Sequence, residues 1–258
     1  MRSIQQLFDL SGKTAIVTGG GRGLGEQIAV GLAEAGADVV VCSRKKENCD
    51  EVAGKIKAIG RQSLSFGCDV TNPEDADRVV KETLNAFGKI DILINNSGIS
   101  WGAPTEEYPL DKFNQVLNVN VTGLFIMSRA VGVEMQKRNY GRILNVASVA
   151  GLVGSDPRAM NAIAYNASKG AVISFTKDLA VKWAKKGITV NALAPGFFPT
   201  KMSQGLLKMY GDVILEGTPM GRFGAEDELK GAAVFFASDA SSYITGQVLP
   251  VDGGVTAS

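Results

Sequence analysis

Three side chains near the middle of the sequence have the types and spacing for proton transfer: Ser148, Tyr165 and Lys169. If the segment after Ala164 is helical, Tyr165 and Lys169, four residues apart, share one face, and phenol and ammonium lie side by side. A free phenol has a pKa of about 10 and is a poor base at neutral pH. A cation within a few ångström favours the phenolate and is expected to pull that pKa down towards working pH. Ser148 follows an apolar run and would donate a hydrogen bond to an oxygen held between it and Tyr165. Such a trio serves a carbonyl or an alcohol. Alone, a Tyr–Lys pair at this spacing is more often a surface contact than a catalyst, so the elements around it must decide.

What the chain lacks narrows the chemistry. Its 258 residues include no histidine. That removes Ser-His-Asp hydrolysis, His-ligated zinc and any dehydrogenase that uses His as acid or base. Cys42, Cys49 and Cys68 are an odd count without zinc-type spacing, so no metal site is expected. They read as free thiols in a reducing, cytoplasmic compartment. Cys42 and Cys68 fall in strand-like stretches, where a thiol acts as a small buried hydrophobe. Lys plus Arg is 27 against 26 for Asp plus Glu, a net charge of +1, which gives no electrostatic case for nucleic acid or anionic membrane. The N-terminal stretch carries no signal-peptide core. No uninterrupted run of ~18 apolar residues marks a membrane span.

The elements that must position the trio follow a regular alternation. Residues 14–18 are a β-branched apolar strand. Gly19-Gly20-Gly21-Arg22-Gly23-Leu24-Gly25 follows, then a helical pattern ending at Gly36. Strand, glycine turn and helix open a dinucleotide-binding fold, with the pyrophosphate resting on the helix N-terminus. The spacing is Gly-x-x-x-Gly-x-Gly rather than GxGxxG. The second strand, 38–42, ends in Ser43-Arg44-Lys45, with no carboxylate before Glu47. An acid there would bond the 2′-hydroxyl of NAD, whereas Ser43, Arg44 and Arg22 suit the 2′-phosphate of NADP. NADP(H) is therefore expected over NAD(H). A helix over 46–59, a third strand ending before Asp69, a helix opened by Asn72-Pro73 and closed by Gly88, and a strand over 91–95 complete the order βαβαβαβ. Apolar strands in this order predict a parallel sheet covered on both faces.

After the fourth strand, Asn95-Asn96-Ser97-Gly98 sits at a strand's carboxyl end, where open α/β sheets hold ligands. Residues 110–138 read as one long helix with Asn120 in its middle, where asparagine usually needs a reason. A fifth strand ends at Ser148, the Tyr165 helix follows, a sixth strand ends at Pro195-Gly196, and the last spans 247–251. The fold class expected is α/β, a single Rossmann-type doubly wound domain over 1–258 with about seven parallel strands and helices on both faces.

Taken together, Thr18 with the glycine turn, Asn95-Asn-Ser-Gly, Ser148, Tyr165-x-x-x-Lys169 and Pro195-Gly196 resemble the short-chain dehydrogenase/reductase family from about Leu10 to Gly254. The resemblance implies roles. Tyr165 would be the general acid, or the base in reverse. Lys169 would hold the nicotinamide ribose and depress the tyrosine pKa, and Ser148 would polarise the carbonyl. Asn120 resembles the family asparagine that holds a proton-relay water, with Asn118 as its rival. Gly19, Arg22, Gly23, Leu24, Gly25, Ser43 and Arg44 would hold the phosphates, and Asp69 and Val70 would flank the adenine. Asn96, Ser97 and Gly98 would line the cofactor, with Pro195, Gly196, Phe198 and Thr200 closing over the nicotinamide. The family's NNAG is NNSG here, and the surplus around 155–163 falls at the mouth of the site. The segment 197–217 resembles the substrate-covering loop.

The expected activity is hydride transfer between nicotinamide and a ketone or secondary alcohol, on CH–OH donors. Stretches such as PGFFPTKM resemble gluconate 5-dehydrogenases, although Ser100-Trp101-Gly102 replaces the basic residues expected after the Asn-Asn-x-Gly turn. Arg158 or Lys201 would then hold the acid. The 3-ketoacyl thioester reductases are the other pattern, and an apolar pocket of Trp101, Phe197 and Met202 suits them. A non-catalytic NADP-binding sensor or interaction protein is the alternative on the same fold. The long helices resemble those that pair subunits in this family, so a homotetramer is expected.

Overall fold

The computed structural model describes residues 1–257 apart from 159 and 202. A short helix α1 (Ile4–Phe8) precedes β1 (Thr14–Thr18), α2 (Gly23–Glu34), β2 (Asp38–Ser43), α3 (Lys46–Ala58), β3 (Ser63–Gly67), α4 (Pro73–Phe87) and β4 (Ile92–Asn95). The second half runs α5 (Leu110–Leu117), α6 (Gly123–Lys137), β5 (Gly141–Val146), α7 (Ile163–Trp183), β6 (Ile188–Pro195), α8 (Gln204–Glu216), α9 (Lys230–Ala237) and β7 (Val248–Val251). All pairings are parallel, in the order β3-β2-β1-β4-β5-β6-β7. The seven-stranded doubly wound sheet matches the expectation from sequence.

Strand periodicity splits the core between the two faces. Val17, Val39, Val41, Ile92 and Ile94 pack with α2, α3 and α9. Their neighbours Ile16, Val40 and Leu93 point the other way, onto α4, α6 and α7. Local signals act as read from sequence. The Asn72 side chain accepts from Glu74 N at 3.0 Å, Pro73 fills the first turn, and Gly88 (φ 72°) closes α4 in the left-handed region.

Two segments differ from expectation. The helix over 110–138 is continuous but contains a π turn at Asn118–Thr122. Such turns are rare and recur at functional sites, and buried Asn120 stands in this one. Within 197–217, α8 is helical and kinks at Tyr210 (φ −129°). Only Ile214 of α8 is buried, so this helix lies lightly on the body. The combined helix Leu110–Lys137 is long and apolar enough to cross a membrane by length and composition. Its apolar residues Ile126, Met127, Val131 and Met135, however, are spent on the core.

Helices α6 and α7 approach closely at Gly132, where a Cβ would lie 2.2 Å from the Trp183 ring. Gly132→Ala is expected to destabilise the protein by about 1–3 kcal/mol through overpacking. A lowered urea midpoint at unchanged m value would register it.

Candidate active site

The strand order reverses between β1 and β4, which pair through Thr18 and Asn95 at their carboxyl ends. A crevice opens there in doubly wound sheets. It forms a cavity of about 560 Å³. The glycine turn makes one wall. Gly19 (φ 63°) and Gly23 (φ 57°) adopt backbone that side chains disfavour. A Cβ at Gly25 would sit 2.3 Å from the Gly19 carbonyl. Asn96 Nδ2 donates to the Thr18 and Gly19 carbonyls, both at 3.1 Å, clamping the turn onto the end of β4. Asn96 N and Ser97 N donate to Thr18 Oγ1 at 3.0 and 3.1 Å. Ser97 contributes only its backbone N–H, so serine for the family's alanine leaves the clamp intact.

At the other end of the cavity stand Ser148, Tyr165 and Lys169. Ser148 follows β5 in extended conformation, and its Oγ accepts from Ala150 N at 3.2 Å. Tyr165 and Lys169 share the first turns of α7. Lys169 is 5% exposed, and its Nζ donates to the Val146 carbonyl at 2.7 Å. The ammonium lies 5.4 Å from the Tyr165 ring centroid. Burial pushes the Tyr165 pKa above its usual value, and the Ser148 hydroxyl offsets this only in part. Burial lowers Lys169 to about 8. The net direction is thus opposite to the expectation: among the protein's own groups, burial of the phenol outweighs the pull of the neighbouring ammonium. At neutral pH the phenol is therefore a proton donor and Lys169 is mostly charged.

Asn120 lies behind this wall, 2% exposed in the π turn. Its Oδ1 accepts from Ile99 N at 2.8 Å, and its Nδ2 donates to the Ile99 carbonyl at 2.9 Å. Both ends of the amide are engaged, so the side chain is a strut between the turn after β4 and the helix. Asn118 is exposed. The geometry thus singles out Asn120 of the two.

The far corner is electropositive. Arg22, Ser43, Arg44, Lys45 and Asn48 line it. Among the described residues, Arg22, Arg44 and Lys45 make no ion pair, although most other cations near them do. No side chain caps the N-terminus of α2, so its leading N–H groups remain for a ligand. Open glycine backbone, an uncapped helix and unpaired cations fit a dinucleotide that carries an extra phosphate. Sequence reasoning missed Lys45 and Asn48; their signal was adjacency to Arg44 and the first turn of a helix that starts beside it.

Of the predicted cofactor residues, Leu24, Asp69, Val70, Gly98, Pro195, Gly196 and Thr200 also line the cavity. Phe198 does not. It is 5% exposed and packs in the core, where a Cβ at Gly224 would meet its ring at 2.3 Å. The cause is the bond from Gly224 N to the Phe197 carbonyl at 2.9 Å, which folds this loop back on itself. Phe197 and Phe198 both border a second cavity of about 260 Å³, with Met220 and Arg222. Trp101 stacks edge-on against Tyr108 at 5.1 Å and is not part of the cavity wall. Arg158 is an exposed loop residue whose guanidinium is bound to Asp156 at 2.7 Å, so it is no carboxylate clamp for the cavity. Lys201, in contrast, lines it. Met202 lies outside the described residues. Ile99 and Val119 also line the first cavity and were not anticipated, as do Cys68, Val146 and Ala147.

The family model described as enoyl-(acyl carrier protein) reductase matches residues 19–256. The chain belongs to the short-chain dehydrogenase/reductase family. It is 42% identical over 250 residues to a 2-dehydro-3-deoxy-D-gluconate 5-dehydrogenase of Pseudoalteromonas atlantica, covering 96% of this chain and 97% of that one. It is 39% identical to a 3-oxoacyl-[acyl-carrier-protein] reductase of Synechocystis, covering 95% and 98%. The structure of a gluconate 5-dehydrogenase from Burkholderia cenocepacia in complex with NADP and tartrate superposes with a TM-score of 0.94 at 37% identity, covering 99% of this chain and 100% of that one.

Proposed function

We propose that this short-chain dehydrogenase/reductase is an NADP(H)-dependent oxidoreductase that interconverts a ketone and a secondary alcohol. The observation that carries the reading is the convergence of Ser148, Tyr165 and buried Lys169 on the cavity whose other end is built of glycine backbone and unpaired cations. Arg22, Ser43, Arg44 and Lys45 hold the 2′-phosphate. Gly19, Gly23 and Gly25 receive the pyrophosphate. Asp69 and Val70 flank the adenine, and Asn96, Gly98, Pro195, Gly196 and Thr200 border the nicotinamide riboside. Bound NADPH supplies the hydride. Ser148 donates a hydrogen bond to the carbonyl oxygen, and Tyr165, a neutral phenol at physiological pH, delivers the proton. Charged Lys169 then stabilises the phenolate left behind.

The substrate favoured is a keto-sugar acid. Sugar-acid dehydrogenases are among the relatives, and Lys201, which makes no ion pair among the described residues, lines the cavity. A 3-ketoacyl thioester is the second reading, supported by the Synechocystis relative and by Leu152 and Val153, which stand exposed just beyond Ser148. Loss of reduced-nicotinamide absorbance with each ketone separately decides between them. Exposed Phe125 and Val133 on α6 and Val181 on α7 support a homotetramer, which sedimentation tests. Three buried, free thiols support a cytoplasmic setting.

The cofactor corner carries its own test. Replacing Arg22 or Arg44 with Ala removes a charge-assisted contact. Each is expected to raise the KM for NADPH about 10- to 100-fold while leaving that for NADH almost unchanged. Equal effects on both cofactors would remove the 2′-phosphate assignment.

A further inference from the structure

Ser168 has no part in the chemistry above, yet it is wholly buried between the residues that do. It stands three residues after Tyr165 and one before Lys169. Its hydroxyl uses both of its capacities. It donates to the Tyr165 carbonyl at 2.7 Å and accepts from Asn120 Nδ2 at 2.9 Å. Asn120 in turn holds the N–H and the carbonyl of Ile99. The result is one unbroken chain: Ile99 on the cavity wall, Asn120 in the π turn, Ser168, and the backbone of Tyr165. Gly98 touches the same knot, since a Cβ there would lie 3.3 Å from Asn120 Oδ1 and 3.7 Å from Lys169 Nζ.

We propose that Ser168 is a positioning residue. Its hydroxyl ties the first turn of α7, and with it the Tyr165 phenol, to the Ile99 loop that borders the cofactor cavity. The proposal rests on the oxidoreductase reading. A proton donor must meet its acceptor within a few tenths of an ångström, which takes directional bonds. Lys169 and Thr176 tie α7 to β5, and the Ser168 hydroxyl ties it to Asn120 and, through Asn120, to the Ile99 loop. The π turn then has a purpose, because it lets Asn120 reach Ile99 and Ser168 at once. Removing the hydroxyl leaves the volume nearly unchanged but frees Asn120 from α7.

The test uses the full chain as Ser168→Ala, Asn120→Ala and the double variant. Ser168→Ala is expected to lower kcat about 10- to 100-fold with the KM for NADPH within about two-fold. The double variant should lose no more than Asn120→Ala alone, since one break already opens the chain. A readout independent of turnover is the amide exchange of Ile99, whose N–H Asn120 accepts. In Ser168→Ala it should exchange about 10-fold faster. Wild-type kcat in Ser168→Ala, unchanged Ile99 protection, or additive losses in the double variant would each overturn the proposal. Wild-type protein that reduces no carbonyl would overturn the oxidoreductase reading as well, whereas unchanged Ile99 protection in an active enzyme overturns the positioning role alone.

Discussion

Tyr165→Phe is expected to cut carbonyl reduction by about 10²- to 10⁴-fold, the range for a removed general acid, while NADPH still binds. The variant deletes one oxygen and keeps the ring that forms the cavity wall, so the loss belongs to proton transfer rather than to shape. Because burial holds the phenol protonated, reduction by the wild type should be level through neutral pH and decline only on the alkaline side. In Tyr165→Phe the residual rate should lack that decline. Titration of NADPH by fluorescence separates binding from turnover. Full activity in this variant would remove Tyr165 from the chemistry.

Lys169→Met is expected to lower kcat by at least about 10²-fold, because the phenolate formed on Tyr165 loses its neighbouring charge. It also gives a stability signature whose sign is fixed. Lys169 sits at about 8 in the folded protein against 10.5 as its ordinary value. The unfolded chain therefore binds the extra proton between those limits, and stability rises with pH there. The cost of charging the buried amine, about 3 kcal/mol, is fully present below pH 8 and gone above 10.5. Met carries no such cost. Measured in the protein alone, the stability of Lys169→Met relative to the wild type should be highest below pH 8 and fall as pH rises towards 10.5. A difference that stays constant over this window would mean that Lys169 is solvated rather than buried.

The parts of this molecule governed by local chemistry were legible in the sequence. Alternating β-branched strands and the Asn72-Pro73 start and Gly88 stop needed no tertiary knowledge. The glycine turn, Ser148, Tyr165 and Lys169 could be placed because each stands at a strand end or a fixed helical spacing. The electrostatics could not. The direction of the phenol pKa shift depends on how deeply tertiary packing buries the ring, which no spacing within α7 reveals. Phe198 was misplaced for the same reason: a long-range bond to Gly224 turns the loop and sends an apolar ring inward. Arg158 carries a free-looking charge in the sequence, but Asp156 two residues earlier holds it. The π turn at Asn120 was visible only as an asparagine in an awkward place, with its partners Ile99 and Ser168 far away in sequence.

In the proposed reaction the cavity holds NADPH and a carbonyl together while Tyr165 supplies the proton. The most direct measurement incubates the protein with NADPH deuterated at its transferring position and with 5-ketogluconate or a 3-ketoacyl thioester, and follows the product by NMR. The predicted result is one deuterium on the carbinol carbon for each NADPH consumed, with at least one of the two ketones and not with Tyr165→Phe. NADPH that binds tightly yet is consumed with neither ketone would contradict the claim and favour a cofactor-sensing role for the same fold.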